Sequence, residues 1–478
     1  MQVFSFAATA RRSAVTFSAQ GVRLVCQLGA IAVLSRVIPA KDIGMVGLMT
    51  SILACLGLLR DFGLPSAIIQ KESVSNAELN TLFRVSALLG AFLFVAVIAA
   101  GCVASWLFKE PRLAGIGPYF GAVFLFQTLM AVPTALLKRQ MEFGKLATRD
   151  IASNLLGTVV GVGCALGGVG YLSLVWMQLA TTVANLLLTW AASKWVPFGP
   201  AVRFREIKSF LLFGGTFTAG EFANYLCHNL DNLLIGKRWG FEQLGYYTRA
   251  YGLMQAPFGN LLGPIMTVLV PTMSRLRDNQ KEYVAFSKEI AKGGSWLMAP
   301  VAAFISASSL EITSLLLGDG WEQSADILKW LALIIYAKPM GSVVYLIMLT
   351  SGEIALMLRW VWTNAALTIA AIFAGLYFGT VETAISLGIA GALFGVPLAA
   401  FFGARTKLFT VSDFLVPYAQ GILIGGVCYG AFNLLAQYAR SLQLLPVFQL
   451  ILVGLPVAIL VVAIFFRLRS SAKMVAST

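Results

Sequence analysis

The sequence predicts an all-α integral membrane protein of about 14 transmembrane helices, arranged as two pseudo-symmetric six-helix lobes followed by two further helices. Three observations carry that reading. Of the 478 residues, 58% are hydrophobic and only 12% are charged, where soluble domains carry about 25% charged residues. Apolar stretches long enough to cross a bilayer as helix, about 20 residues each, recur along the whole chain with no polar domain between them. Polar residues on the first and seventh stretches recur in one register. Strand-like alternation over short segments is absent, which argues against a barrel.

The spans are predicted near 14–37, 43–69, 80–108, 114–137, 147–167, 170–193, 209–236, 244–271, 288–317, 326–350, 355–378, 383–403, 414–438 and 445–466. The first stretch lacks a small-residue cleavage site, so it reads as a retained helix. The spans group into an N-lobe over 1–195, a cytoplasmic linker over 196–208, a C-lobe over 209–403, and the last two spans with a cytoplasmic tail over 404–478. Those last two spans either form a lipid groove or pack on one lobe.

The net charge of +14 invites a nucleic-acid reading, but its distribution follows topology. With the N-terminus inside, cytoplasmic segments hold 23 of the 35 Lys and Arg, outer segments hold 8, and Arg23, Arg60, Arg249 and Lys338 fall within spans. Positive-inside bias explains most of that basicity and places both termini in the cytoplasm. No basic-aromatic recognition module is present, so no nucleic-acid partner is expected. The longer connections, at 138–150, 196–210 and 274–290, are cytoplasmic and mix basic with apolar residues; they read either as helices at an anionic leaflet or as solvated loops. Outer connections are short, the longest lying around GDGWEQSAD at 318–326.

The two halves carry signs of a repeat. LSRVIPAKDIGMVG from Leu34 and IGKRWGFEQLGYYT from Ile235 superpose at an offset of 201 residues, which puts Arg36 on Lys237 and Gly44 on Gly245. In each, a helix ends on a basic residue, a short turn follows, and a glycine opens the next helix. On the preceding helices, Thr16, Gln20, Arg23 and Gln27 share one helical face, as do Glu221, Asn224, His228 and Asp231. The same offset maps Gln20, Arg23 and Gln27 onto Glu221, Asn224 and His228. Six spans per half is an even number, so the halves share an orientation about an axis along the membrane normal, and a cavity lies between them.

Charges inside the membrane cost about 2.5–3.5 kcal/mol each on insertion scales, which makes each a site candidate. Arg23 lies about 14 Å into its helix by axial rise, near mid-bilayer. Lys338 lies deep in the tenth span beside Pro339, which removes a backbone donor there. Either faces a polar cavity or belongs to a structural ion pair. Arg60 precedes Gly63 and Pro65, and reads as a binding residue or as a group satisfied by carbonyls freed at a helix break. Arg84, near a helix end, is expected to snorkel. Arg249, in GYYTRAY at 245–251, lies only about 6–8 Å deep by helix rise; it is expected at the outer mouth, with Tyr246, Tyr247 and Tyr251 as an aromatic belt. A cavity with Arg and Lys but no excess acid selects anionic cargo, and guanidinium suits phosphate. Glu221, His228 and Asp231 are candidates for ion coupling, since an acid and a histidine on one face can take up and release protons. The alternative for the histidine is an ordinary hydrogen-bonding role, and the ion, H+ or Na+, stays open.

Six cysteines without metal spacing and a single histidine exclude a multi-histidine metal site. The cysteines read as small packing residues. No P-loop or nucleophile elbow is present, which removes an ATP-driven pump and a serine hydrolase.

DFGLPSAIIQK (61–71), LLKRQMEFGKLA (136–147), DNLLIGKRWGFEQLGYYTRAYGLMQAP (231–257) and VLVPTMSRLRDN (268–279) resemble the Wzx-type polysaccharide flippases. These form the polysaccharide-transporter branch of the MOP exporter superfamily, which also holds MATE drug exporters and lipid II flippases. The resemblance implies a MATE-like fold of two six-helix lobes and alternating access. It also implies movement of an undecaprenyl-pyrophosphate-linked oligosaccharide, a repeat unit of exopolysaccharide, capsule or O-antigen, across the bacterial inner membrane. No catalytic residue, metal or other cofactor is expected. Substrate contacts are expected at Arg23, Lys338, Arg249, Arg60, Gln20, Gln27 and Asn224. Partners would be the lipid-linked oligosaccharide, membrane lipids, a polysaccharide polymerase and a chain-length regulator. One rival is a cation-coupled multidrug or metabolite antiporter of the same superfamily; MATE exporters of that kind place an acid on the first helix, where this chain has none. A membrane polymerase or ligase is the other, and the short outer connections argue against it.

Overall fold

A lipid-embedded chain without strand alternation can satisfy its backbone only by hydrogen bonding within each helix. In the computed structural model every regular element among the described residues is helical. The described residues are 6–61, 68, 74–200, 225, 229–255 and 269–477, and the side chains of 6–20, 22, 61 and 465–477 lie outside that description. In order, the helices are α1 (Phe6–Val37), α2 (Ala40–Asp61), α3 (Asn76–Phe108), α4 (Arg112–Leu129), α5 (Ala131–Arg139), α6 (Phe143–Leu166) and α7 (Leu172–Ser193). Helical residues 229–255 are α8. Then come α9 (Gln280–Ala307), α10 (Ser309–Leu316), α11 (Glu322–Ser351), α12 (Ile354–Leu376), α13 (Thr380–Ile389), a π turn over Ala390–Gly395, α14 (Val396–Ala404), α15 (Ser412–Ser441) and α16 (Pro446–Ser477). Among the described residues, 10 helices are long and apolar enough to cross a membrane. The chain divides into two compact units, Met1–Gly245 and Tyr246–Thr478.

In the first unit α3 packs along α4, α6 along α7, and α1 along α6. The α6 seam is written in small residues, because Ser153, Gly157, Gly161 and Ala165 recur every fourth position and are all buried. Small side chains let helix backbones approach closely where lipid offers no hydrophobic drive for association. A Cβ on Gly157 would lie 1.8 Å from Thr181 Oγ1 of α7. At one end of the unit, Arg112 Nη1 donates to Asp42 Oδ1 at 2.7 Å and its Nε to Glu110 Oε1 at 2.8 Å. The Arg112 guanidinium holds the Glu110 carboxyl below the usual carboxylate range.

At the other end Ser75 and Glu78 form a capping box that starts α3, and Phe83, Trp190 and Trp195 cluster with centroids 5.6 to 6.2 Å apart. Beside them Asn80 Nδ2 donates to the carbonyls of Phe198 and Pro200, and Arg84 Nη2 donates to Gly199 O at 3.1 Å. Arg84 is exposed, and the chain following α7 brings the Gly199 carbonyl within its reach. The start of the expected 196–208 linker is thereby tied down on α3.

In the second unit α9 is the central helix, packed by α11, α15 and α16. Lys288 Nζ of α9 pairs with Asp413 at the start of α15 at 2.7 Å, and Arg440 at its end pairs with the buried Glu311 of α10. Between these, Tyr336 of α11 stacks on Tyr418 of α15 at 4.7 Å and donates its hydroxyl to the Tyr418 carbonyl. Ala303, Ala307, Cys428, Phe432, Ala436, Val453 and Val457 close a common core of α9, α15 and α16. The last two helices thus pack on the second unit, the choice that the sequence leaves open. Trp321 is buried and α11 begins at Glu322, so the expected outer loop 318–326 is in large part the first turn of a helix. Cys428 fits the reading of cysteines as packing residues, whereas Cys102 is exposed on α3.

Candidate functional site

Lys338 sits within α11, directly before Pro339. Its Nζ donates to Gln255 Oε1, on α8, at 3.0 Å. Lysine carries three donors and no acceptor, so a carboxamide oxygen can hold the ammonium in place without supplying a countercharge. Six residues before Gln255, Arg249 keeps part of its side chain accessible, but Nε and Nη2 are buried without a hydrogen-bond partner among the described residues. Guanidinium is planar, always charged and forked to meet two oxygens at once. A buried donor left unmade costs about 1–3 kcal/mol, a cost that the oxygens of an anion would offset.

The expected aromatic belt around Arg249 is corrected. Tyr247 is 0% exposed, and its ring stacks on Tyr251 at 6.2 Å. Tyr246 packs edge-on against Trp321 at 5.5 Å, and its carbonyl accepts from Ser324 Oγ at 2.9 Å. The start of α11 covers this side of GYYTRAY, so the tyrosines face protein, and Arg249 is held inside with them.

In the first unit Arg60 Nη1 donates to Gln127 Oε1 of α4 at 2.7 Å; Gly63 and Pro65, where the helix break is expected, lie outside the described residues. Arg23 and Gln27 are exposed on α1. Asp231 is buried, and its Oδ1 accepts the backbone N–H of Asn232 at 2.8 Å. The side chain of Gln20, and Glu221, Asn224 and His228, lie outside the described residues. Arg23, Arg60 and Asp231 belong to the first unit, Arg249 and Lys338 to the second.

The two residues missed in the sequence are Gln127 and Gln255. Each is a lone carboxamide in an apolar run, FLFQTLM and GLMQAP, and that isolation is the signal that could have found them. Among the described residues no cluster of three His, Cys, Asp or Glu could hold a metal ion.

Residues 33–326 match a family described as "Polysaccharide biosynthesis protein". The chain belongs to this family. Its relatives include the lipopolysaccharide biosynthesis protein WzxC of Escherichia coli (strain K12), 24% identical over 76% of this chain and 74% of that protein. The succinoglycan biosynthesis transport protein ExoT of Rhizobium meliloti (strain 1021) is 24% identical over 86% of this chain and 82% of its own length. Teichuronic acid biosynthesis protein TuaB of Bacillus subtilis (strain 168) is 26% identical over 77% and 78%. In fold, the chain is similar to the lipid II flippase MurJ in an inward closed conformation, with a TM-score of 0.74 and 15% identity, covering 94% of this chain and 98% of that one. An inward-facing MATE transporter of the MOP superfamily follows at 0.64 and 13%, covering 87% and 98%. The family member described here therefore has the MOP fold, as the sequence resemblance implied.

Proposed function

We propose that this chain is a flippase that moves an undecaprenyl-pyrophosphate-linked oligosaccharide, a repeat unit of a surface polysaccharide, from the inner to the outer face of the bacterial inner membrane. The observation that carries the reading is the Arg249 guanidinium, with two buried nitrogens unpartnered among the described residues, on the same helix as the Gln255 that holds the Lys338 ammonium. A pyrophosphate supplies the oxygens that such donors lack. The names of WzxC, ExoT and TuaB support a polysaccharide cargo. Sugars meet the polar stripes around Gln20, Arg23, Gln27 and Asn224, Arg60 adds positive charge, and the polyprenyl tail stays in lipid. The two six-helix lobes, 1–195 and 209–403, alternate access about the 196–208 linker, with both termini in the cytoplasm. Asp231, with Glu221 and His228, couples the cycle to H+ or Na+, and a polymerase and a chain-length regulator take the product onward.

Purified protein in vesicles loaded with a fluorescent polyprenyl-pyrophosphate oligosaccharide is expected to move the label between leaflets faster than empty vesicles do, with no change in its covalent structure. A rate equal to that of empty vesicles under every H+ and Na+ gradient would exclude the reading.

Gln255 gives a second test. Gln255→Glu keeps the shape of the residue and places a carboxylate 3.0 Å from the Lys338 ammonium. The internal ion pair then competes with cargo phosphate. Export is expected to fall about tenfold, the consequence of about 1.4 kcal/mol, at unchanged protein abundance.

A further inference from the structure

Trp360 of α12 packs against the face of α11 that carries Lys338. On α11, Lys338, Gly341, Ser342 and Tyr345 fall on one side at 3.6 residues per turn. A Cβ built on Gly341 would lie 3.5 Å from Trp360 Cζ2 and 3.7 Å from its Cη2, so the indole lies against the one position of this face without a side chain. The Tyr345 ring stands 6.4 Å from that indole, and Tyr345 is 38% exposed. Cζ2 is two bonds from Nε1, which puts the indole N–H on the same seam. That nitrogen is buried without a hydrogen-bond partner among the described residues. Indole is a donor only, and a buried tryptophan ordinarily meets an acceptor. Phenylalanine would fill the place without a donor to satisfy, so the N–H points to an acceptor from outside the chain.

The π turn, Ala390–Gly395, borders the same seam. A Cβ on Gly391 would lie 3.9 Å from Ala337 Cβ, and one on Gly395 would lie 3.9 Å from Asn364 Oδ1. The turn therefore runs from the residue before Lys338 to the amide one helical turn beyond Trp360. Tyr418 OH of α15 donates to Ala392 O at 3.1 Å, which holds the turn from behind. Turns of this kind recur at functional sites, and here two glycines keep side chains out of the seam.

We propose that Trp360, Asn364 and Tyr345 form a sugar subsite beside Lys338, which takes the monosaccharide joined to the cargo pyrophosphate. The proposal rests on the transport reading, which puts that pyrophosphate at Arg249 and Lys338. Sugar hydroxyls both donate and accept. A carboxamide answers them in both senses, and an indole N–H needs their oxygen. The faces of a sugar ring carry C–H groups, to which the exposed ring of Tyr345 offers an apolar surface. None of the three residues is cationic, so a phosphate is better served by Lys338. From Lys338 to Tyr345 is about 10 Å along α11, the reach of a pyrophosphate with one sugar. A site that hydrogen-bonds a substrate hydroxyl rejects an analogue lacking it more strongly than an apolar pocket can. These residues thus select the sugar, whereas the two cations bind whatever carries the pyrophosphate.

The test compares the affinity of the purified full chain for two radiolabelled lipids. One is the undecaprenyl-pyrophosphate oligosaccharide isolated from a strain that carries this chain, and the other is undecaprenyl pyrophosphate itself. Trp360→Phe and Asn364→Leu are each expected to weaken the oligosaccharide about tenfold, the scale of one hydrogen bond, and to leave undecaprenyl pyrophosphate unchanged. Lys338→Ala is expected to weaken both. Equal weakening of the two lipids by both variants identifies a structural role and overturns the subsite, as does oligosaccharide binding unchanged in both. Equal affinity of the native chain for the two lipids overturns it as well. If the native chain binds the oligosaccharide without flipping it, the transport reading fails, and the comparison of the two lipids still decides the subsite.

Discussion

Export by Lys338→Ala is expected to fall about 30-fold or more at unchanged protein abundance, since truncating one partner of a buried charge pair costs about 2–5 kcal/mol and 2 kcal/mol is worth about 30-fold. The loss comes from cargo binding alone, with the fold keeping its shape around the site. One bond joins Lys338 to the neutral carboxamide of Gln255, whose oxygen accepts from its Nζ at 3.0 Å. Lys338→Arg retains the charge on a wider head and should keep part of the activity, whereas Lys338→Gln should behave like alanine. Surface polysaccharide in a deletion strain carrying each variant, normalised to protein level, is the readout. Full polysaccharide from Lys338→Ala would remove this residue from the site.

Arg249→Met should separate stability from activity. A residue retained for structure loses stability when replaced. A buried guanidinium with two nitrogens unpartnered works the other way, because its desolvation is unreturned until an anion arrives. Methionine fills similar space without polar donors. The variant is therefore expected to unfold a few degrees higher in detergent, in line with about 1–3 kcal/mol released per unsatisfied polar group, while export is lost. Pyrophosphate added to the native protein should narrow the gap in unfolding temperature by binding the folded state, and should leave Arg249→Met unchanged. A lower unfolding temperature for the variant would identify Arg249 as a structural residue.

Helix positions were legible in the sequence wherever a long apolar run met a clear polar boundary. The span expected at 80–108 is α3, Asn76–Phe108, and that expected at 383–403 is the run Thr380–Ala404. Lys338 was legible too, since a lysine deep in an apolar helix stands out against its cost. What fills the space beside it was not. Gln255 lies 83 residues from Lys338 and Gln127 lies 67 from Arg60, and helical periodicity reports only on neighbours within a turn or two. Tyr247 failed for a related reason. Depth counted from a helix end gives height along the membrane normal but says nothing of which neighbour covers that height, and here Tyr247 is fully buried with its ring stacked on Tyr251. Gly44 and Gly245 were legible as equivalent positions, but not that a Cβ on Gly44 would lie 2.7 Å from Gly245 N.

The two ion pairs on α15 fix a length. From Asp413 to Arg440 at 1.5 Å per residue is about 40 Å, close to the full thickness of a bilayer with its headgroup regions. Lys288 grips one end and Glu311 the other, so α15 cannot slide or tilt independently of α9 and α10 without breaking a salt bridge. A membrane thinner or thicker than this strut must accommodate the second unit by bending its own lipids, at fractions of a kcal/mol per Å. The lipid around this protein, and not its helix packing, then absorbs hydrophobic mismatch.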